Sequence, residues 1–448
     1  MSEYFDGFGD SSVTELNALR KALSVGYTDP PTSGGDALRV ESLDATLKVL
    51  SHQAIHIKCW NDIPKDTAYS TVEEYSKLTQ YGADGGGFVD GGVVPEENDA
   101  TYARETQRVK YVGTTRGIEH PATLVRSVPA DLVAQETANG VLWMLGKIER
   151  GLFYADSSLI PVEWNGLFAQ CLAGGATVID LRGAGLVAGN IEDAADVIAQ
   201  NFGAPTKIYG NNKIFSDFGK TYYGQQRWHS PNSPAGMVGV PLTGMSTQAG
   251  DVRFESNVFM KAGGPPLTAA TSTKAPTAPT LAVGTPGGSG SQFTAADAGT
   301  YKYAVSALNK YGESLPSAWS ANVTFTTGQS VTNTITDGGG TYPATAYRIY
   351  RTDKTGVAAS TGRLMRTIAR DTTTTVFTDA NADIQGTFQA FMADLSPQSM
   401  MFKQLSPLIK MPLAIVAPAF KWMQLLYGTP IVYAPKRNVI FKNIGIVT

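Results

Sequence analysis

The chain has 448 residues, 42% of them hydrophobic and 17% charged, with a formal net charge of -3. That gives room for two or three domains and a sizeable core in a globular chain slightly poor in charge. The balance excludes bulk electrostatic capture of nucleic acid, which needs a basic face or run, and no stretch approaches the ~18 uninterrupted apolar residues of a membrane helix. The longest candidate, Leu408 to Phe420, is broken by Lys410, Pro412 and Pro418. The start, Met1-Ser2-Glu3-Tyr4-Phe5-Asp6, lacks a basic region followed by an apolar core, so no secretory signal is expected. In a chain without an export signal, Cys59 and Cys171 read as two free, buried thiols rather than a disulfide.

Residues 1–60 read as an extended arm with short helical pieces. Val13, Leu16, Leu19, Ala22 and Leu23 predict one helix from Ser11 to Val25, which the run Asp29-Pro30-Pro31-Thr32-Ser33-Gly34-Gly35 ends. Residues 61–118 form the next unit, and from 66 onward they read as a long polar β-excursion. Its tip, Gly82 to Gly92, is glycine-rich around Phe88. The return limb, Tyr102 to Val112, carries Arg104, Arg108 and Lys110 on one alternating set. Few of its residues can be buried in the chain's own core, so its backbone edge needs a neighbour, and a neighbouring subunit is one candidate. Pro129 to Tyr154 is the clearest helix. Ala134, Ala138, Val141, Leu145, Ile148 and Leu152 make one apolar stripe, and Pro129 sits where a missing N–H does no harm.

Residues 160–262 alternate helical and strand patterns. Ile191, Ala194, Ala195, Ile198 and Phe202 are in phase for a helix, and Ala204 to Tyr209 reads as a strand leaving it. No glycine fingerprint marks a doubly wound sheet, so the domain reads as mixed α+β. Composition then changes abruptly at Gly263-Gly264-Pro265-Pro266. To about Gly386 the chain is rich in Thr, Ser, Gly and Pro, and at Phe391 it reverts to Leu, Met, Ile and Pro. A block of ~120 residues is the size of one domain. Its patterns are strands only: Thr300 to Ala307 and Ala346 to Arg351 alternate strictly, and Val323 to Thr327 and Thr374 to Thr378 add two more. Frequent turn signals between short strands predict a β-sandwich.

Chemistry is hard to find. His52 and His56 stand four apart, as zinc ligands do on a helix, but no Glu follows the first and no third ligand is evident; a polar helix face accounts for them. The Gly82–Gly92 cluster lacks the Gly-Lys-Ser/Thr ending of a phosphate cradle. Glu73-Glu74 and Glu96-Glu97 would point to opposite faces of a strand. With no nucleophile elbow and no Cys-x-x-Cys, the expectation is a non-enzyme with no metal and no cofactor.

Three stretches resemble the major capsid proteins of tailed bacteriophages with the Hong Kong 97-type fold, especially those of large lytic phages. The first is Val109-Lys110-Tyr111-Val112-Gly113-Thr114-Thr115-Arg116-Gly117-Ile118. The second runs from Ile148-Glu149-Arg150-Gly151-Leu152-Phe153-Tyr154 through Val162-Glu163-Trp164-Asn165-Gly166-Leu167 to Ile179-Asp180-Leu181-Arg182-Gly183. The third is Tyr427-Gly428-Thr429-Pro430-Ile431-Val432-Tyr433-Ala434-Pro435-Lys436-Arg437 with Lys442-Asn443-Ile444. The resemblance implies an N-terminal arm (1–60), an extended β-loop (61–118), and a capsid core of peripheral and axial domains (119–262 plus 391–448) built on a spine helix at 129–154. It implies homo-hexamers and homo-pentamers forming an icosahedral shell around packaged double-stranded DNA, which meets the inner face without sequence specificity. A portal is an implied partner, as is a scaffolding protein, expected to be separate because the arm looks too short to hold one. A decoration protein is a further candidate, no membrane is involved, and the location is the virion, after assembly in the host cytoplasm. Phe88, Arg104, Arg108 and Lys110 are the expected inter-subunit contacts. Nothing identifies a Lys–Asn cross-linking pair, and Lys110 reads as a solvated lysine.

The block at 265–390 resembles a fibronectin type III or related immunoglobulin-like module, on Tyr301 to Ser314 and on Tyr347-Arg348-Ile349-Tyr350-Arg351. The second kind of strand precedes the first in standard fibronectin modules and follows it here, so only an immunoglobulin-like sandwich is implied, placed on the outer face. Trp319 and the tyrosines read as aromatic core ahead of a sugar platform. The competing reading of the whole chain is a host-surface adhesin or glycan-active protein with a fibronectin-like accessory module.

Overall fold

The computed structural model describes residues 51–83, 88–94, 97–124, 131–226, 242–260, 263–355, 358–414 and 417–446. The helix expected from Ser11 to Val25, and Pro129, lie outside them. The chain divides into two compact units, residues 1–50 with 123–132, and residues 51–122 with 133–448. The architecture below is that of the second.

Its first elements are short. Cys59–Asp62 makes a one-turn helix (α1), followed by Lys65–Thr67 (β1). Val72–Gln80 (β2) and Thr101–Arg108 (β3) form a two-stranded antiparallel hairpin with Val72 opposite Arg108. Val109 is buried, with its N–H bonded to the Thr71 carbonyl. The return limb is therefore two strands, since Lys110–Glu119 (β4) belongs to a different sheet. The buried valine is where the chain re-enters the body.

His120–Leu124 (α2) precedes the long helix Leu132–Tyr154 (α3). The expected stripe holds in its C-terminal half, where Ile148 and Leu152 are buried with Met144 and Phe153. It fails at Ala134 and Ala138, which are exposed. Alanine offers little apolar area, and polar contacts orient this half instead: Arg116 pairs with Glu136 at 2.9 Å, and Gln424 Nε2 donates to the Thr137 carbonyl. Three glycines, Gly140, Gly146 and Gly151, sit inside α3 at a helix cost of about 1 kcal/mol each. A Cβ at Gly140 would lie 2.2 Å from Gln424 Oε1, and one at Gly146 2.6 Å from His52 Nε2.

Glu149, also on α3, is fully buried. Its carboxylate accepts the backbone N–H groups of Lys58, Cys59 and Trp60 and the Asn257 side-chain amide, at 2.6 to 3.1 Å. Burial pushes the carboxyl up, and the four donated hydrogen bonds pull against that shift. One side chain thus ties α1 and the segment after Ser256 to the long helix, which α1 is too short to achieve by itself.

Leu167–Ala173 (α4), Thr177–Asp180 (β5), Ala188–Gln200 (α5), Lys207–Gly210 (β6), Asn212–Gln226 (α6), Gly244–Thr247 (β7) and Gly250–Ser256 (β8) follow. On α5 the residues Ile191, Ala194, Ala195 and Ile198 are buried as their spacing predicts. Phe202 is not: it is 89% exposed with φ 61°. The helix reverses before it, with the Phe202 N–H on the Ala199 carbonyl and the Gly203 N–H on that of Ile198.

Nine strands come next: Thr280–Val283 (β9), Gly299–Tyr301 (β10), Tyr303–Asn309 (β11), Gly312–Glu313 (β12), Val323–Phe325 (β13), Val331–Thr336 (β14), Ala346–Arg351 (β15), Arg363–Ala369 (β16) and Thr374–Asp379 (β17). Among the described residues they pair only with one another, as sheets ordered β17-β14-β9 and β12-β11-β15-β16 with the small pair β10-β13. Phe293, Tyr303, Val305, Phe325, Ile335 and Ile349 are among the residues of a core of their own. The stretch expected as one alternating strand is broken at Lys302, and Tyr303 to Ala307 is buried on both faces. One face points into the core. On the other, Ser306 meets buried Glu313, which also takes Tyr350 and Arg348.

The edge of β11 beyond β12 is covered by serines. The N–H groups of Ser314, Ser317 and Ser320 donate to the carbonyls of Ala307, Val305 and Tyr303. Their hydroxyls accept the N–H groups of the same three residues at 2.9 to 3.0 Å. A serine every third residue therefore satisfies a strand every second residue, and no open ladder is left there.

Phe388–Ala393 (β18), Met400–Pro412 (β19), Ala419–Val432 (β20) and Val439–Ile444 (β21) close the fold. They complete a six-stranded mixed sheet, β5-β21-β18-β6-β8-β7, and a four-stranded sheet, β1-β19-β20-β4. The core strand β18 begins at Phe388, ahead of the compositional change at Phe391. Met144, Leu152, Phe153, Phe391 and Phe402 share one core cluster, and Ile191, Ile198, Ile208, Phe218 and Phe441 share another. No helix among the described residues is long and apolar enough to cross a membrane.

Candidate assembly interface

The hairpin β2–β3 has no buried residue on either strand. A lone two-stranded ribbon is marginal in water, and this one is braced at a few points. Tyr75 packs edge-on against Tyr433, 5.0 Å between centroids, and its hydroxyl donates to Glu105 at 2.8 Å. Lys77 reaches the same carboxylate at 2.7 Å. That ammonium, ahead of the Tyr75 hydroxyl, holds the Glu105 carboxyl below its ordinary value, while burial and then Glu105 push the Tyr75 phenol up. Glu73 and Glu74 take opposite faces: Glu74 pairs with Arg104, and Glu73 lies 3.7 Å from Lys403.

Phe88 is fully exposed at the tip. Arg104 is held by Glu74, and Arg108 is exposed opposite Val72 at the hairpin's root. Lys110 stands apart from these three, in the four-stranded sheet, with Nζ donating to the Pro161 carbonyl at 2.6 Å. The residues sequence reasoning passed over are Tyr69, Tyr81, Val94 and Tyr102, each exposed along the same excursion. Their signal is a run of large apolar side chains in a segment otherwise too polar to form a core.

The histidines do not converge. His52 Nε2 donates to the Leu142 carbonyl at 2.7 Å, whereas His56 Nδ1 accepts the Gln53 N–H in a single 3-10 turn, Ala54–His56. No group of three metal-binding side chains occurs among the described residues. Cys59 and Cys171 are free and buried, and burial pushes both thiols up, Cys171 to about 12. Trp319 packs against Gly362, where a Cβ would meet its ring at 2.1 Å.

The nine-strand insert is rooted through polar side chains. Both chain crossings meet at adjacent residues: the Gly264 carbonyl accepts the Leu364 N–H, and Gly386 lies against Arg363. Arg182 of the core donates to the carbonyls of Asn381 and Gln292, and Asn443 binds Ala382, Ile384 and Asp180. Just inside, Arg351 is fully buried between the rings of Phe293 and Tyr301. It donates to Asp379 at 2.6 Å, Asn381 at 2.8 Å and Gln385 at 2.8 Å.

No established family profile matches the sequence. Curated relatives do. A putative major capsid protein of Enterococcus phage phiEF24C is 27% identical over 443 residues, covering 95% of this chain and 94% of that protein. The major capsid protein of Staphylococcus phage K is 27% identical over 440 residues with the same coverage. The chain is thus similar, over nearly its whole length, to major capsid proteins of bacteriophages. Alignment over nearly the whole of both chains leaves no support for the adhesin reading. The chain is also similar in structure to the capsid of cyanophage P-SCSP1u, at TM-score 0.48, 7% identity and 93% and 97% coverage, and to Mycobacterium phage Bobi, at 0.47, 9%, 92% and 99%. The extended hairpin, the long helix α3 and the two closing sheets make the body mixed α+β, as the sequence leads one to expect.

Proposed function

We propose that copies of this chain form pentamers and hexamers that tile an icosahedral shell around packaged double-stranded DNA. The observation that carries the reading is the hairpin β2–β3, which buries nothing of its own yet displays Tyr81, Phe88 and Val94. A ribbon of that kind is completed by a neighbouring copy. Arg104 and Arg108 supply the charged contacts on its strands, and Lys110 stands at its root. The net charge of -3 fits a shell that is filled with DNA rather than one that condenses DNA by affinity, so the inner face reads no sequence. A portal and a separate scaffolding protein complete the assembly, and a decoration protein is a further partner.

The domain scheme is the arm 1–60, the extended loop 61–118, the core 119–262 with 391–448, and an immunoglobulin-like insert at 265–390, whose far edge is drawn back to 387 because Phe388 begins the core strand β18. A self-contained core and two adjacent chain crossings support placing the insert on the outer face, for surface contacts or shell stabilisation. Purified protein examined by electron microscopy under assembly conditions should show shells or capsomers. Monomers alone would sink the reading.

A further inference from the structure

Among the described residues, four that are not glycine have left-handed backbone: Arg182 (φ 52°), Phe202 (61°), Asn381 (57°) and Asn443 (54°). An L side chain is strained there, asparagine least. Three of the four are accounted for within the chain. Arg182, Asn381 and Asn443 gather at the root of the insert, where each makes hydrogen bonds that its conformation permits.

Phe202 has no such account. It stands just beyond α5, where glycine is the usual residue. The helix end is closed by backbone bonds from the Phe202 N–H to the Ala199 carbonyl and from the Gly203 N–H to the Ile198 carbonyl, both 2.9 Å, and by the Asn201 side-chain amide on the Val197 carbonyl at 2.8 Å, none of which involves the Phe202 ring. The glycine has gone to position 203 because a Cβ there would lie 2.8 Å from Ile198 Cγ2 and 3.1 Å from Arg437 Cβ. A large ring is thus held in a strained conformation, 89% exposed, with nothing among the described residues to reward it.

We propose that Phe202 is an anchor for a neighbouring copy of this chain, a proposal that rests on the self-assembly reading. An aromatic ring on a rigid turn is the type of residue that carries interface energy. The charges around it favour a second copy as the occupant. Arg437 flanks the turn, with its Nε donating to the Asn201 carbonyl, and exposed Lys436 precedes it in the chain, whereas Asp193 and Asp196 lie exposed on the outer face of the same helix. One subunit therefore offers an apolar-and-basic knob and, separately, an acidic flank. Head-to-tail contacts within a ring set one surface of a subunit against a different surface of the next, which lets the two signs meet.

The test uses Phe202→Gly and Phe202→Ala in the full chain, with two readouts: the Tm of unassembled subunits and the yield of shells by sedimentation. Glycine relieves the backbone, so its Tm should rise by about 1–2 °C. Both variants should cut shell yield by about tenfold or more. Wild-type yield from both variants overturns the anchor. So does a fall in Tm for Phe202→Gly, because the ring would then be packing on its own chain, residues 1–50 included. If the wild type forms no shells under the same conditions, the assembly reading has failed and the anchor with it. If the wild type and both variants all assemble, the anchor alone has failed.

Discussion

The insert and the β2–β3 hairpin are both β-built and both set off from the body, yet they treat exposed strand edges in opposite ways. The insert buries Tyr303, Val305, Phe325 and Ile349 in a core of its own and covers the edge of β11 with Ser314, Ser317 and Ser320. Among the described residues the hairpin has none buried on its strands, pairs at neither edge with another strand, and exposes Tyr81, Phe88 and Tyr102. One is complete as a folded unit, whereas the other is stable only with something outside it. On the proposed assembly, the incomplete segment is the one that a neighbouring copy completes.

The largest expected effect comes from removing each segment in turn. Excising residues 265–386 and joining Gly264 to Thr387 should leave shells that still assemble, since the crossings at Gly264 and Gly386 meet at Leu364 and Arg363. The cut must stop before Phe388, where β18 begins. Replacing the hairpin from Tyr81 to Tyr102 by a short turn should abolish shells while the melting of the core is kept. Electron microscopy with calorimetry reads both, and shells from the hairpin variant would erase the contrast.

Next in size is Arg351→Met, which strands buried Asp379 and removes a donor from Asn381 and Gln385. Leaving one partner of a buried ion pair uncompensated costs about 3–5 kcal/mol. The loss should be confined to the insert, read as lost amide protection in β11, β14 and β15 with the α3 helix unchanged. Adding Asp379→Leu should recover much of it, because an apolar pair restores neutrality at the same place. Ser317→Ala tests the edge cover. It leaves the Val305 N–H without its acceptor, at about 1–2 kcal/mol, and faster exchange of that amide measures it.

How much of this was legible in the sequence depends on what kind of interaction holds each part. The insert could be seen because its composition differs, and β15 coincides with the alternation from Ala346 to Arg351. The helix α5 core was readable from Ile191, Ala194, Ala195 and Ile198. Periodicity failed where polar groups set the packing. Ala134 and Ala138 lost to the Arg116–Glu136 and Gln424–Thr137 contacts, and nothing in the spacing of α3 marks Glu149 as buried beneath α1. Thr300 to Ala307 alternates in sequence, but the second face is closed by Glu313 and the serines, which only the fold brings there. At the candidate interface, Arg104, Arg108 and Lys110 share one alternating set in sequence. The buried Val109 then places Lys110 in another sheet. Phe88 is exposed because it lies at the tip, whereas the exposure of Phe202 comes from a helix end that a periodic pattern runs straight through.

The smallest expected effect lies within the hairpin itself. The Lys77 ammonium and the Tyr75 hydroxyl hold the Glu105 carboxyl below its ordinary value in the folded state. A depressed carboxylate contributes stability above the ordinary glutamate range and loses it as pH falls through the folded value, because the unfolded chain takes up the proton first. The group is largely exposed, so the contribution is about 1 kcal/mol or less and is screened by salt. In unassembled subunits, amide protection across β2 and β3 should therefore weaken on going from neutral pH to below pH ~4. Glu105→Gln should remove that dependence and lower the neutral-pH protection towards the acid level. If wild type and Glu105→Gln show the same pH profile, the Lys77–Glu105–Tyr75 contact does not brace the free hairpin. Its order would then come wholly from the neighbouring copy, which would make the contrast with the insert larger still.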